Sequence, residues 1–168
     1  MRAEMWFFIA FISIFYAVGF GLLGYSLLSM KRSTEAAAWP STVGTIISCD
    51  LETDFDSDGD THQVKVSYQY GVGGRELTND LLAFGYSASS GREAHQEIFD
   101  KLKAASAVDV RYDPSDPQTS VLSYGVHRSI QFMLAFAFTW LLFVVGFTVL
   151  WWVSSCSDHV LLQNLHVQ

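Results

Sequence analysis

The segment HQVKVSYQY, residues 62–70, places Val64, Val66, Tyr68 and Tyr70 on one side of an extended chain. Gln63, Lys65, Ser67 and Gln69 fall on the other side. A period of two with β-branched and aromatic residues predicts a strand buried on one face and wet on the other. Such a strand needs neighbours. Downstream, Gly71-Val72-Gly73-Gly74 supplies a tight turn, and residues 75–82 continue as a third strand, which makes an antiparallel hairpin. Upstream, STVGTIISCD (residues 41–50) is rich in β-branched residues and reads as a strand beginning after Pro40. Further on, Ser90 with Glu93 three residues later forms a capping-box pattern that predicts a helix over 92–104. Ile98, Phe99 and Leu102 form its apolar face. A strand over 108–112 stops at Asp113-Pro114, and a short apolar piece follows around Val121 and Leu122.

Outside this middle region the composition changes. Residues 5–30 and 130–153 are uncharged apolar runs of 26 and 24 residues, and a hydrocarbon core about 30 Å thick needs about 20 helical residues to cross. The first run is too long for the apolar part of a cleaved signal peptide, about 7 to 15 residues, so it reads as a signal anchor. Trp151 and Trp152 close the second run where aromatic residues favour the membrane interface. The expected fold class is an α+β membrane protein in which two transmembrane helices flank a small, mainly antiparallel β domain with one α-helix. Its divisions are 5–30 (first span), 39–124 (β-rich domain), 130–153 (second span) and 154–168 (short tail).

Charged residues are only 16% of the 168-residue chain and the formal net charge is −7. The low charged fraction, with the apolar residues concentrated at the two ends, disfavours a soluble globular enzyme, and the acidic balance leaves no basic surface for nucleic acid. Small residues Ala10, Ser13, Ala17, Gly21 and Gly24 recur at helical spacing in the first span, and Ala135, Thr139 and Gly146 do so in the second. Such faces suit helix–helix contact, either within the chain or between copies. Nine of the ten basic residues lie between the spans, with Lys31, Arg32 and Arg128 at their ends. This bias places the middle domain in the cytoplasm by the positive-inside rule. Cys49 and Cys156 then sit on opposite sides of the membrane and cannot pair.

Trp39-Pro40-Ser41-Thr42-Val43-Gly44-Thr45-Ile46, the tyrosine-rich hairpin and Ser120-Val121-Leu122 appear in that order between the spans. The most specific piece is Tyr112-Asp113-Pro114-Ser115-Asp116-Pro117, after the strand Val108-Asp109-Val110-Arg111-Tyr112. From Trp39 to the second span this resembles the bacterial membrane proteins grouped as domain of unknown function family 3592. The expected location is the bacterial cytoplasmic (inner) membrane. The resemblance implies the architecture only. It implies no activity, cofactor or catalytic residue.

The sharpest chemical feature is the connection from Asp50 to Asp60, with six carboxylates in eleven residues and no base. Asp54, Asp56, Asp58 and Asp60 make the candidate metal set, because Asp54-x-Asp56-x-Asp58-Gly59 matches the opening of a calcium loop. The twelfth position is Lys65, where an EF-hand requires a bidentate glutamate. A solvated hairpin connection is therefore the simpler reading, and calcium is the cofactor considered against an expectation of none. The histidines His62, His95, His127, His159 and His166 are scattered, and no nucleophile elbow or phosphate loop occurs. The expectation is a non-enzymatic membrane protein whose β-rich domain serves as an interaction, accessory or regulatory module. Its partners would be the bilayer and either another protein or a second copy. The alternatives are an immunity protein against a membrane-acting toxin and a weak cation sensor using residues 50–60.

Overall fold

A computed structural model describes residues 2–57, 59–155 and 163. Asp58, Cys156 and most of the expected tail therefore lie outside the described residues. The chain divides into two compact units, residues 1–24 with 134–168 and residues 25–133. The elements in chain order are α1 (Arg2–Glu35), a 3₁₀ turn (Ala36–Ala38), β1 (Ser41–Asp54), β2 (Thr61–Val72), β3 (Arg75–Asn79), α2 (Arg92–Ala104), β4 (Val108–Tyr112), β5 (Ser120–Val121) and α3 (Arg128–Ser155). Both α1 and α3 are long and apolar enough to cross a membrane.

In the first unit α1 and α3 meet through aromatic side chains. Phe8 stacks on Trp151 with ring centroids 3.8 Å apart, and Phe15 stacks on Trp140 at 5.9 Å. The Trp140 indole N–H donates to the Phe15 carbonyl at 3.0 Å, and the hydroxyls of Tyr16 and Thr148 share a hydrogen bond at 3.2 Å. The small-residue stripes are not at this contact. Ala10, Ser13, Ala17, Ala135 and Thr139 are exposed, and a Cβ on Gly21, Gly24 or Gly146 would meet nothing within 4 Å. The glycine the contact needs is Gly19, where a Cβ would fall 2.5 Å from Leu141. Large rings reaching across, with the close approach at Gly19, make this contact, and the two stripes are left on other faces.

In the second unit all strands pair antiparallel in the order β3-β2-β1-β4-β5. The alternation read in residues 62–70 is realised, with Val64, Val66, Tyr68 and Tyr70 all buried. Helix α2 covers the same face, bringing Ile98 and Leu102 against the core formed by Val66, Tyr68, Tyr70, Leu82 and Val110. Strand β1 is longer than its β-branched segment and contains a bulge at Ile47 between the pairs Ile46–Tyr68 and Ser48–Ser67. One extra residue reverses side-chain parity. The inward positions are Gly44 and Ile46 before the bulge, then Cys49, Leu51 and Thr53 after it, all on the face that holds the buried β2 residues. Gly44 lies so close to β4 that a Cβ would be 2.6 Å from Val110 Cγ2. The β2–β3 hairpin turns on Gly73 and Gly74, with φ of +59° and +78°, the left-handed pair a two-residue turn requires.

The Asp113–Pro117 turn is held from both ends. Asp113 accepts the Ser115 amide at 2.8 Å, and Asp116 accepts the Thr119 hydroxyl at 2.7 Å. From the sheet, the buried Tyr70 hydroxyl donates to the Pro117 carbonyl at 2.6 Å.

Candidate functional site

The residues of chemical interest collect where β3 leaves the edge of β2. Sequence pattern predicts β3 through Leu82, but it ends at Asn79. The Asn79 side-chain carbonyl accepts the amides of Asp80 at 2.8 Å and Leu81 at 3.3 Å, which turns the chain outward. Its amide nitrogen donates to Ser120 Oγ at 3.0 Å. Tyr68, with 0% exposure, donates its hydroxyl proton to the Leu81 carbonyl at 3.0 Å, so the Ser120 hydroxyl 3.0 Å away must be the donor to Tyr68. Burial pushes the Tyr68 hydroxyl pKa up and keeps this proton in place.

Residues 80–88 form an arch beside β2. The chain returns to the edge at Ser89, which exchanges both backbone hydrogen bonds with His62, at 2.8 and 3.1 Å. Thus the neighbours of β2 on this side are β3, opposite residues 68–72, and Ser89, opposite His62. The alternation of an antiparallel ladder then directs the N–H and C=O groups of Val64 and Val66 into the gap under the arch. The Val64 amide donates to the Tyr86 hydroxyl at 3.0 Å. Among the described residues nothing bonds the Val66 amide or the Val64 and Val66 carbonyls on that side. A cavity of about 310 Å³ lies at the gap, lined by residues 63–67 of β2, by residues 80–83, by Tyr86 and, across β2, by Ser48 of β1.

One end of the arch is clasped by α2. His95, 4% exposed, has Nδ1 at 2.7 Å from the Tyr86 hydroxyl and Nε2 at 2.8 Å from Ser89 Oγ. The Val64 N–H takes one acceptor position of the Tyr86 hydroxyl, which keeps a proton to give and a second lone pair to receive one. A neutral imidazole satisfies both contacts, one ring nitrogen donating and the other accepting. Burial, with the neighbouring His62 second, lowers the His95 pKa and favours this neutral form. His62 is itself buried, with Nδ1 2.9 Å from Thr53 Oγ1. Ser89 Oγ and His95 Nε2 stand at hydrogen-bond distance, and the tautomer of the ring decides which of them donates. The Cys49 thiol is pushed up by burial first and by Asp50 second, so it stays protonated.

The capping box predicted at the start of α2 does not form. Gly91 is the cap and makes no side-chain cap bond, whereas Ser89 Oγ, one residue earlier than expected, accepts the Gly91 amide at 3.4 Å. The pairing of Ser89 with His62 positions that hydroxyl, a long-range contact that local spacing does not contain.

The acidic connection lies elsewhere in this unit. Asp54 ends β1, and Asp56 is turned back on its own loop, with Oδ1 accepting the Ser57 amide. Asp56 and Asp60 are exposed, and Asp58 is outside the described residues. Among the described residues no three His, Cys, Asp or Glu side chains gather to hold a metal ion. Tyr86 and His95, the centre of the clasp, stand nine residues apart in no recognised motif, and only the folded chain brings them to β2.

No curated protein and no solved structure matches the chain. The family model described as "Domain of unknown function (DUF3592)" matches residues 42–127, from the second residue of β1 to the loop before α3. That match covers the sheet, the arch and the clasp, and the chain belongs to the DUF3592 family.

Proposed function

We propose that this chain is an integral membrane protein whose two apolar helices anchor the sheet domain, and that the domain is a non-catalytic interaction module for a protein partner. The observation that carries the reading is the β2 edge between Tyr68 and His62, where backbone groups face a cleft in place of a neighbouring strand. The other face of the sheet adds contact area. Val43 and Ile47 are 70% and 59% exposed there, on the side away from α2. The 34- and 28-residue helices support membrane anchoring. Lys31, Arg32 and Arg128 at their inner ends support a cytoplasmic domain, and the family resemblance supports a bacterial inner membrane.

The test is site-specific photocrosslinking in the full-length protein in its own membranes. A photoreactive residue at Gln63, beside the cleft, gives a discrete adduct with a second protein. The same group at Asp109 on β4, away from the cleft, does not. Equal yields at the two positions count against an interaction module on this edge.

A further inference from the structure

We propose that the cleft under the 80–88 arch binds an extended peptide segment, which adds to the edge of β2 as a short antiparallel strand. The assignment rests on the interaction reading and names the chemistry of its partner. Three features point to a peptide backbone.

First, Val66 presents an N–H and a C=O on the same side, the paired groups with which one residue of an antiparallel neighbour exchanges two hydrogen bonds. A buried backbone donor left without a partner is costly, so these groups favour a ligand that both donates and accepts. Secondly, the space matches. The cleft of about 310 Å³ sits at the lower end of ligand-site volumes, suited to a few residues of chain. It is flanked by pairs already in antiparallel register, Tyr68 with Asn79 and His62 with Ser89. An added strand between them continues an interrupted ladder, with main-chain bonds supplying affinity. Thirdly, of the two charged residues that line the cleft, Lys65 is already paired with Glu52 at 3.7 Å, whereas Asp80 is exposed and has no salt-bridge partner among the described residues, so a peptide with a basic side chain is preferred.

Tyr86 fits the same picture. Its hydroxyl takes the Val64 amide, which leaves Val66 as the residue that pairs with the incoming strand.

The experiment uses the full-length protein in nanodiscs, labelled with ¹⁵N at valine. The probe is the peptide acetyl-Thr-Val-Lys-Val-Thr-amide, compared with the same peptide methylated on its backbone nitrogens. The expected result is a saturable shift of the Val66 amide at millimolar peptide, with the Val110 amide of β4 unmoved. The methylated peptide binds about tenfold or more weakly, as expected when a main-chain hydrogen bond is lost. A Val66 amide that does not move, or that moves equally with both peptides, overturns the assignment. If Gln63 still crosslinks to a protein in that case, the interaction reading survives and the peptide cleft alone is lost; if Gln63 is also silent, both fall.

Discussion

The Tyr86 hydroxyl stands 3.0 Å from the backbone nitrogen of Val64 and accepts the hydrogen bond that a neighbouring strand would otherwise take. One side chain thereby substitutes for part of a missing ladder and shares a second hydrogen bond with His95 Nδ1. Replacing it with phenylalanine keeps the ring and removes both bonds. Tyr86→Phe is expected to destabilise the protein by about 1–3 kcal/mol, the cost of leaving a buried donor unsatisfied. Hydrogen exchange is the specific readout: the Val64 amide should lose protection while the Val110 amide keeps it.

His95 makes that same network depend on acidity. Its folded pKa lies below the ordinary 6.5 because burial disfavours the imidazolium. The unfolded chain therefore takes up the proton first as pH falls. Stability is full above about pH 6.5 and declines as pH drops from there through the folded value. Unfolding midpoints of the full-length protein between pH 8 and 5 should show this decline, and His95→Gln should flatten it. A slope unchanged in that variant would assign the effect to another group.

Close approach at Gly44 gives a packing prediction. A methyl there would meet Val110 Cγ2 at 2.6 Å and the Gln69 carbonyl at 3.0 Å. Gly44→Ala should cost about 1–3 kcal/mol by overpacking. Trimming the opposing side chain should recover part of it, so the double variant with Val110→Ala should fall short of the sum of the two single losses in a double-mutant cycle. Strict additivity would mean that the strain lies with the backbone of β2.

Gly19 and Gly21 separate two explanations of the helix pair. Gly19 faces Leu141 and Trp140, whereas a Cβ on Gly21 would meet nothing within 4 Å. Gly19→Ile should lower the thermal midpoint of the protein in detergent, and Gly21→Ile should leave it unchanged. The reverse pattern would restore the small-residue stripe as the contact face.

The proposed sidedness has a direct test. With Cys49 and Cys156 replaced by serine, cysteines placed singly at Ser57 and Ser154 report the two sides of the membrane to an impermeant maleimide on intact cells. Labelling at position 154 alone is expected for a cytoplasmic domain. Labelling at position 57 alone would place the acidic connection outside, where weak calcium binding becomes relevant.

Much of this architecture is written locally in the chain. The period of two in residues 62–70, the uncharged runs at the two ends and the Asp-Pro stop after β4 act over a few residues, so the sequence determined them by itself. The Asp113–Pro117 turn belongs with these, because its aspartates bond amides and hydroxyls within three residues. The rest depends on groups far apart in sequence. Asn79 stops β3 because Ser120 and Gln118 are there to receive its amide, and the strand propensity of Leu81 and Leu82 is overridden. The bulge at Ile47 restores the inward face of β1 opposite β2, a demand set by the partner strand. Aromatic rings from two distant helices decide which face of α1 meets α3. The cleft under the arch arises in the same way: its chemistry belongs to backbone groups, identical at every position of the sequence, and only the departure of β3 from the edge makes those of Val64 and Val66 distinctive.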